Sequence, residues 1–290
     1  MVRFAQLIID GFVLGSTYGV CALGMVVIFK ATDVINIAQG EFVMMAAFFG
    51  FTFHVIFEWP LLPSVFAAIF LTILLSLIIE RLVLRPLIKA PVWTNIIATM
   101  ALLMILQSTA RLIWGPEPYS FPPYFSRVPF TIAGINLSQQ DVAMFGVSVV
   151  YMVLLHLFFK YTRVGKGMRA VQMDKEAASL MGISVKRMYS YVWAINAVFV
   201  GTIGILLAPL LGVSSTMGLL FIKGFAVAVI GGFTSLVGSM VGGFVVGIAE
   251  TLAGYYISTA IKDIISFLIL ILILVFRPTG LFPESVTKRV

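Results

Sequence analysis

Asn36, Gln39 and Glu41 set two amides and a carboxylate close together between two long apolar runs. Groups of this kind hold or pass a polar solute by hydrogen bonding, and none of them is an activated nucleophile. Two arrangements fit the spacing. In one, 36–41 is a loop at the inner membrane surface, with Glu41 on the first turn of a helix where the macrodipole favours an acid. In the other, a broken helix lines a translocation path, and at least one of the three side chains gates or lines the route.

Asp174 opens a second group. It is a good N-cap, Glu176 would sit in the first turn, Ala177 and Ala178 favour helix, and Gly182 supplies a stop. Leu180 and Met181 add apolar side chains beside the small alanine pair. The segment 174–182 therefore reads as a short helix, suited either to entering a groove on another protein or to joining two membrane spans.

The other candidates carry less. Glu250 lies in an apolar run, where an acid needs a partner or water, and is placed near a span end within reach of solvent or a lysine. Glu80 beside Arg81 reads as an inner-face ion pair, and Asp10 and Asp263 as outer-end boundary residues. His54 and His156 are isolated and Cys21 is the single cysteine, so neither a metal site nor a disulfide framework is indicated. No phosphate loop of the form G-x-x-x-x-G-K-[ST] occurs, since Gly165-Lys166-Gly167 lacks both the spacing and the hydroxyl. Hydrolase motifs are missing too, so no catalytic residue is assigned and ATP must be handled elsewhere.

The elements that must position these residues are built for lipid. Of 290 residues, 61% are hydrophobic and 11% charged, more apolar surface than a soluble domain can hide. The runs lack strand-like alternation, so the expected fold is an all-α integral membrane protein with about eight or nine spans. Candidate spans are 4–29, 40–57, 62–84, 92–113, 141–159, 188–211, 218–235, 236–255 and 263–277. The first is longer than the core of a secretory signal and reads as a retained span. The glycine-interrupted pair after Gly218 is the doubtful part, and one member of it is expected to be broken or re-entrant.

With the N-terminus outside, Lys30, Arg81, Arg85, Lys89, the basic residues of 160–187, Arg277, Lys288 and Arg289 fall inside. Arg3, Arg111, Arg127, Lys223 and Lys262 stay outside. That asymmetry follows the positive-inside rule and explains the net charge of +7 without nucleic acid. One transmembrane domain is expected over 1–290, with a cytoplasmic loop at 160–187 and an external loop at 114–140. The external loop carries Pro116, Pro118, Pro122, Pro123 and Pro129 among aromatics, and lies on the membrane surface or docks a partner. Within it, 130–136 reads as a short strand and turn. Gly11, Gly15 and Gly19 recur every four residues, and Gly238/Gly242 and Gly243/Gly247 repeat the spacing, which permits close helix packing or sliding.

Four ordered blocks carry a family resemblance along nearly the whole chain. They are 11–24 (Gly11-Phe12-Val13-Leu14-Gly15 onward to Leu23-Gly24), 34–42, 169–183 (Arg169-Ala170 through Glu176-Ala177-Ala178 to Gly182-Ile183) and 231–250 (Gly231-Gly232 through Ser235 and Gly247 to Glu250). In this order and spacing they resemble the LivH-type permeases of branched-chain amino acid ABC importers, the hydrophobic amino acid uptake family. Gln39 stands where the family pattern often has His, and Gln172-Met173 where it is more polar or acidic.

The resemblance implies a bacterial inner-membrane, multi-pass subunit that forms a translocation path with a second, LivM-like permease. Two cytoplasmic ATPase subunits would hold ATP and Mg, a periplasmic solute-binding protein would deliver substrate, and this chain would carry no cofactor of its own. The family's cytoplasmic coupling segment maps onto Glu176, Ala177, Ala178 and Gly182. Glu176 would be the partner-side cap, the alanine pair the contact surface, and Gly182 the turn into the next span. Leucine, isoleucine or valine are the implied substrates, with urea, short amides and aromatic acids as family alternatives. Two rivals stay open: a stand-alone secondary transporter or channel, which would need a buried charged relay or an inverted repeat, and a non-transporting membrane scaffold. The first finds no support in acids that cluster near span ends.

Overall fold

A backbone amide in hydrocarbon has no water to bond, so each apolar run folds as an α-helix that satisfies its own amides. The computed structural model describes residues 2–88, 90–125, 129–132 and 134–282. Lys89, Arg127, Ala133, Lys288 and Arg289, used in the sequence reading, lie outside the described residues, as does the side chain of Asp263. In chain order the helices are α1 (Val2–Thr32), α2 (Gln39–Phe51), α3 (Leu61–Ile79), α4 (Val92–Trp114), α5 (Gln139–Tyr161), α6 (Arg163–Met173), α7 (Lys175–Leu180), α8 (Val185–Leu211), α9 (Leu220–Gly231), α10 (Leu236–Tyr256) and α11 (Lys262–Phe276). One hairpin, β1 (Phe130–Ile132) and β2 (Ile135–Leu137), interrupts them.

Among the described residues, 7 helices are long and apolar enough to cross a membrane: α1, α2 with its extension to Ile56, α3 with its extension to Leu84, α4, α5, α8 and α10. The chain is thus a multi-pass membrane protein. Met217–Gly231 and Ile264–Phe276 are shorter apolar helices. At 1.5 Å per residue α9 is roughly 18 Å long, well short of a ~30 Å hydrocarbon core. The doubtful pair therefore resolves into one short helix and one full-length one. Gly232, at φ +102°, turns the chain between them, and the Ser235 hydroxyl caps α10 by accepting from the Gly238 amide.

Both extensions are π-turns. The Phe57 amide bonds the Thr52 carbonyl at 2.9 Å, and the Arg85 amide bonds that of Glu80 at 2.7 Å. In a π-turn residue i+5 returns over residue i. Arg85 accordingly grips Glu80 through two 2.9 Å hydrogen bonds, while Arg81 is exposed. This corrects the Glu80–Arg81 pairing expected from adjacency. The bond to Glu80 holds the Arg85 guanidinium above its ordinary pKa, and Ser190 of α8 joins both partners.

The chain divides into two compact units: Met1–Val26 with Pro123–Leu157 and Phe221–Val290, and Val27–Pro122 with Phe158–Leu220. In the second unit α2 is the central helix, packed by α3 and α8. Phe42, Phe48, Trp193, Ile203 and Leu207 fill this core, and at Gly204 a Cβ would stand 2.3 Å from the Val43 carbonyl oxygen. Around it Phe66, Phe70, Ile97, Met104 and Leu112 are exposed, an apolar surface that lipid or another membrane subunit covers.

In the first unit the early part of α1 lies directly on α10. A Cβ on Gly247 would be 2.3 Å from the Gly15 nitrogen and 2.4 Å from the Gly11 oxygen, so this approach requires glycine. The hairpin belongs to this unit; Gln6 exchanges hydrogen bonds with the backbone of Asn136 in both directions. In the other unit Tyr119 bridges Val213 and Phe121 stacks on His54. The proline-rich segment thus packs on its own chain.

Candidate functional site

The helix α7 is made by its ends. Asp174 Oδ1 accepts from the Glu176 and Ala177 amides at 2.8 and 2.9 Å, removing two orphan donors of the first turn. At the other end Gly182 adopts φ +82°, the Ile183 amide bonds the Ala178 carbonyl at 3.0 Å and the Gly182 amide bonds that of Ser179 at 3.0 Å. These crossed bonds form a Schellman stop, which needs a left-handed residue where Gly182 sits.

The two caps settle which face α7 keeps for itself. Ala178 is buried and packs with Val171 and Tyr189, with Ile183 and Met188 against them. Lys175 Nζ sits 5.9 Å from the centre of the Tyr189 ring. Leu180 and Met181 are 88% and 83% exposed, and Glu176 and Ala177 also face out. Ala178 therefore serves the fold while Ala177 and Ser179 stay exposed, which corrects the expectation that the alanine pair forms one contact surface. The amphipathic α6, on which α7 rests, went unread because Gly165 and Gly167 obscure its helical pattern. Its signal was Thr162, whose hydroxyl caps the helix by accepting from the Gly165 amide at 2.9 Å.

The second cluster lies where α2 begins. Asn36 Oδ1 accepts from the Ala38 amide, its Nδ2 donates to Gln39 Oε1 at 3.1 Å, and Gln39 exchanges two hydrogen bonds, 2.8 and 3.1 Å, with Asn196 of α8. Gln39 and Asn36 are buried, so the segment is no surface loop with exposed amides. Asn196 was missed; its signal was a lone amide inside the apolar run 188–211. Glu41 is buried too, but differently. Its carboxylate lies under the 3₁₀ turn Met217–Leu219, where a Cβ on Gly218 would be 2.4 Å from Oε1, and Oε2 has no hydrogen-bond partner. The turn is held by α4: Gln107 donates to the Ser215 carbonyl at 3.0 Å and Arg111 to the Ser215 hydroxyl at 3.1 Å. The structure thus brings Asn36 and Gln39 together and sets Glu41 two residues on, beneath a separate cover.

The third cluster surrounds Glu250, which is 1% exposed: the acid is buried rather than solvated, and of the two partners the sequence allowed it has the lysine. Lys223 Nζ is 2.9 Å from Oε1, the Tyr18 hydroxyl donates to Oε2 at 2.8 Å, Ser266 also donates to Oε1, and Lys223 reaches the Tyr18 oxygen at 3.2 Å. Lys223 lies within α9, inside the expected span 218–235, and its charge is paired there. Buried acids do exist here, at Glu41 and Glu250, so their absence cannot be used against a gradient-driven transporter. The remaining expected packing residues adjoin as follows: Gly11 faces Ile248, Gly15 faces Gly243, Gly19 faces Met240, and Gly238 and Gly242 face Gly231.

Comparison with known proteins follows the same outline. The fold resembles that of "PsaBC from Streptococcus pneumoniae in complex with Fab", with a TM-score of 0.51 at 13% identity over 91% of this chain and 90% of that one. The chain is 30% identical over 301 residues to the high-affinity branched-chain amino acid transport system permease protein LivH of Salmonella typhimurium, covering 99% of this chain and 98% of the relative. LivH of Escherichia coli K12 is 31% identical with the same coverage, and BraD of Pseudomonas aeruginosa, another such permease protein, is 29% identical over 302 residues. Residues 7–274 match the family described as Branched-chain amino acid transport system / permease component. That match takes in the α1–α10 glycine contact, the buried amide cluster and the capped helix α7 alike, and the chain belongs to this permease family.

Proposed function

We propose that this chain is the translocating subunit of an ATP-driven importer for branched-chain amino acids, working in the bacterial inner membrane beside a second, LivM-like permease. Two cytoplasmic ATPases would drive it, binding ATP and Mg, and a periplasmic solute-binding protein would supply the substrate. The observation that carries the reading is α7: a helix capped at both ends that turns Leu180 and Met181 outward while the other face is fastened to α6 and α8. A rigid body with an exposed apolar tip transmits a push; a floppy linker does not. In this reading Asp174 and Gly182 hold the lever, and Glu176, Ala177, Leu180 and Met181 meet the ATPase.

The amide cluster and Glu41 supply the polar interior. Asn36, Gln39 and Asn196 tie the start of α2 to α8, the spanning helix that α7 leads into, so a displacement at α7 reaches the polar residues through one continuous helix. We assign Asn36, Gln39 and Glu41 to the route or its gate. Binding and movement suffice, and this chain performs no covalent step. Uptake by reconstituted vesicles tests the proposal: leucine should accumulate only with both permeases, the ATPases, the binding protein and ATP present. Accumulation by this chain alone on an ion gradient would instead establish the secondary-transporter reading.

A further inference from the structure

Beside α7 the starts of α6 and α8 enclose an open cavity of about 550 Å³, with Arg163, Lys166 and Arg187 in its wall. Among the described residues, no acidic one lines it. Three like charges around one space repel one another, and an anion between them turns that repulsion into attraction. Helix ends add to the field. α6 begins at Arg163 and α8 at Val185, so two positive macrodipole ends border the cavity, and the Ser184 side chain makes no capping bond to α8. Gly167 packs against Met188, whose Sδ would stand 3.2 Å from a Cβ placed there.

The remaining walls are apolar, formed by Val164, Ile183 and Met188, and the cavity is far larger than a free phosphate needs. Its position supplies the reason. α8 is a spanning helix, and Tyr191, 47% exposed at the cavity rim, lies in its second turn, where interfacial tyrosines sit. Tyr161 at the end of α5 is likewise exposed, with Lys160 over its ring at 5.2 Å. Cations and apolar side chains lining one cavity beside the start of a spanning helix match one chemistry, a phosphate joined to a hydrocarbon body.

We propose that this cavity binds the phosphate headgroup of an anionic phospholipid in the leaflet bordering α7. The lipid phosphate would offset part of the repulsion among Arg163, Lys166 and Arg187 and brace the junction through which α7 pushes on α8.

Native mass spectrometry of the purified full chain, titrated separately with dioleoylphosphatidylglycerol, dioleoylphosphatidylcholine and inorganic phosphate, tests this. The wild type should prefer the phosphatidylglycerol. Replacing the cations together, Arg163→Gln/Lys166→Gln/Arg187→Gln, should weaken its binding roughly a hundred-fold, since each cation near a membrane surface contributes on the order of five-fold. A control triple, Arg3→Gln/Arg81→Gln/Arg277→Gln, has the same net charge and should bind as wild type. If the first triple unfolds, Arg187→Gln alone should still show a drop of about five-fold with an unchanged melting temperature. Equal loss in both triples, equal binding of the two lipids, or full displacement by inorganic phosphate would overturn the proposal. So would normal lipid binding by the first triple with lost capture of the ATPase, which would make the occupant an acidic protein side chain.

Discussion

Lys223 Nζ and Glu250 Oε1 meet at 2.9 Å inside the first unit, and the Tyr18 hydroxyl closes the triangle from α1. The short helix α9 cannot hold itself in a bilayer by length. A buried ion pair to α10 and a hydroxyl from α1 fix its depth, while the amides of Leu281 and Phe282 bond the Ile230 and Gly231 carbonyls at its far end. Removing one member should therefore leave an uncompensated buried charge. Glu250→Ala or Lys223→Met alone should destabilise the protein by about 3–5 kcal/mol. The pair replaced together, Lys223→Met/Glu250→Ala, should lose distinctly less than the two single effects summed. Thermal unfolding in detergent provides the measurement, and strict additivity would show that the two groups do not interact.

Glycine at the α1–α10 contact is required by backbone, not by a side chain that can step aside. Gly247→Ala would press a methyl against Gly15 and Gly11 and should cost about 1–3 kcal/mol, with reduced yield of folded protein. Gly146→Ala in α5 meets nothing within 4 Å and should leave unfolding unchanged or slightly later. Identical behaviour of the two variants would remove the steric argument.

The caps of α7 separate fold from coupling. Asp174→Ala should cost about 1 kcal/mol of local stability and speed amide exchange at Glu176 and Ala177, whereas Asp174→Asn should stay near wild type. Leu180→Asp should leave unfolding unchanged, because the side chain touches solvent, yet should abolish ATP-dependent uptake. Normal uptake with Leu180→Asp would place the ATPase contact elsewhere.

At the start of α2, Gln39→Ala strands the amides of Asn36 and Asn196 and should cost about 1–3 kcal/mol. Glu41→Ala removes a carboxylate whose Oε2 has no partner, so its effect should fall on transport more than on stability. Full wild-type uptake by assembled Asn36→Ala, Gln39→Ala and Glu41→Ala variants would exclude the cluster from the route.

What the sequence made legible was local or periodic. Every apolar run became a helix within a few residues of its expected edges, because hydrocarbon leaves the backbone no alternative. The bounds of α7 followed from Asp174 and Gly182, since capping acts over a single turn. Choices of partner were not legible. Glu80 bonds Arg85 because a π-turn shifts the register by one residue, which the sequence does not advertise. Glu250 is buried because Lys223, in an element whose length was ambiguous, comes to it. The inward turn of Ala178 depends on Tyr189, across the bend at Gly182. In each case tertiary contact decided what local chemistry had left open.

The central claim is that α7 faces the cytoplasm and is grasped there by an ATPase. A Leu180→Cys variant in a Cys21→Ser background carries one thiol at the exposed tip. With a membrane-impermeant maleimide, that thiol should stay unlabelled in intact cells, react in inside-out vesicles stripped of the ATPase, and be shielded when the ATPase is restored. Labelling in intact cells, or undiminished labelling of the fully assembled transporter, would contradict the account.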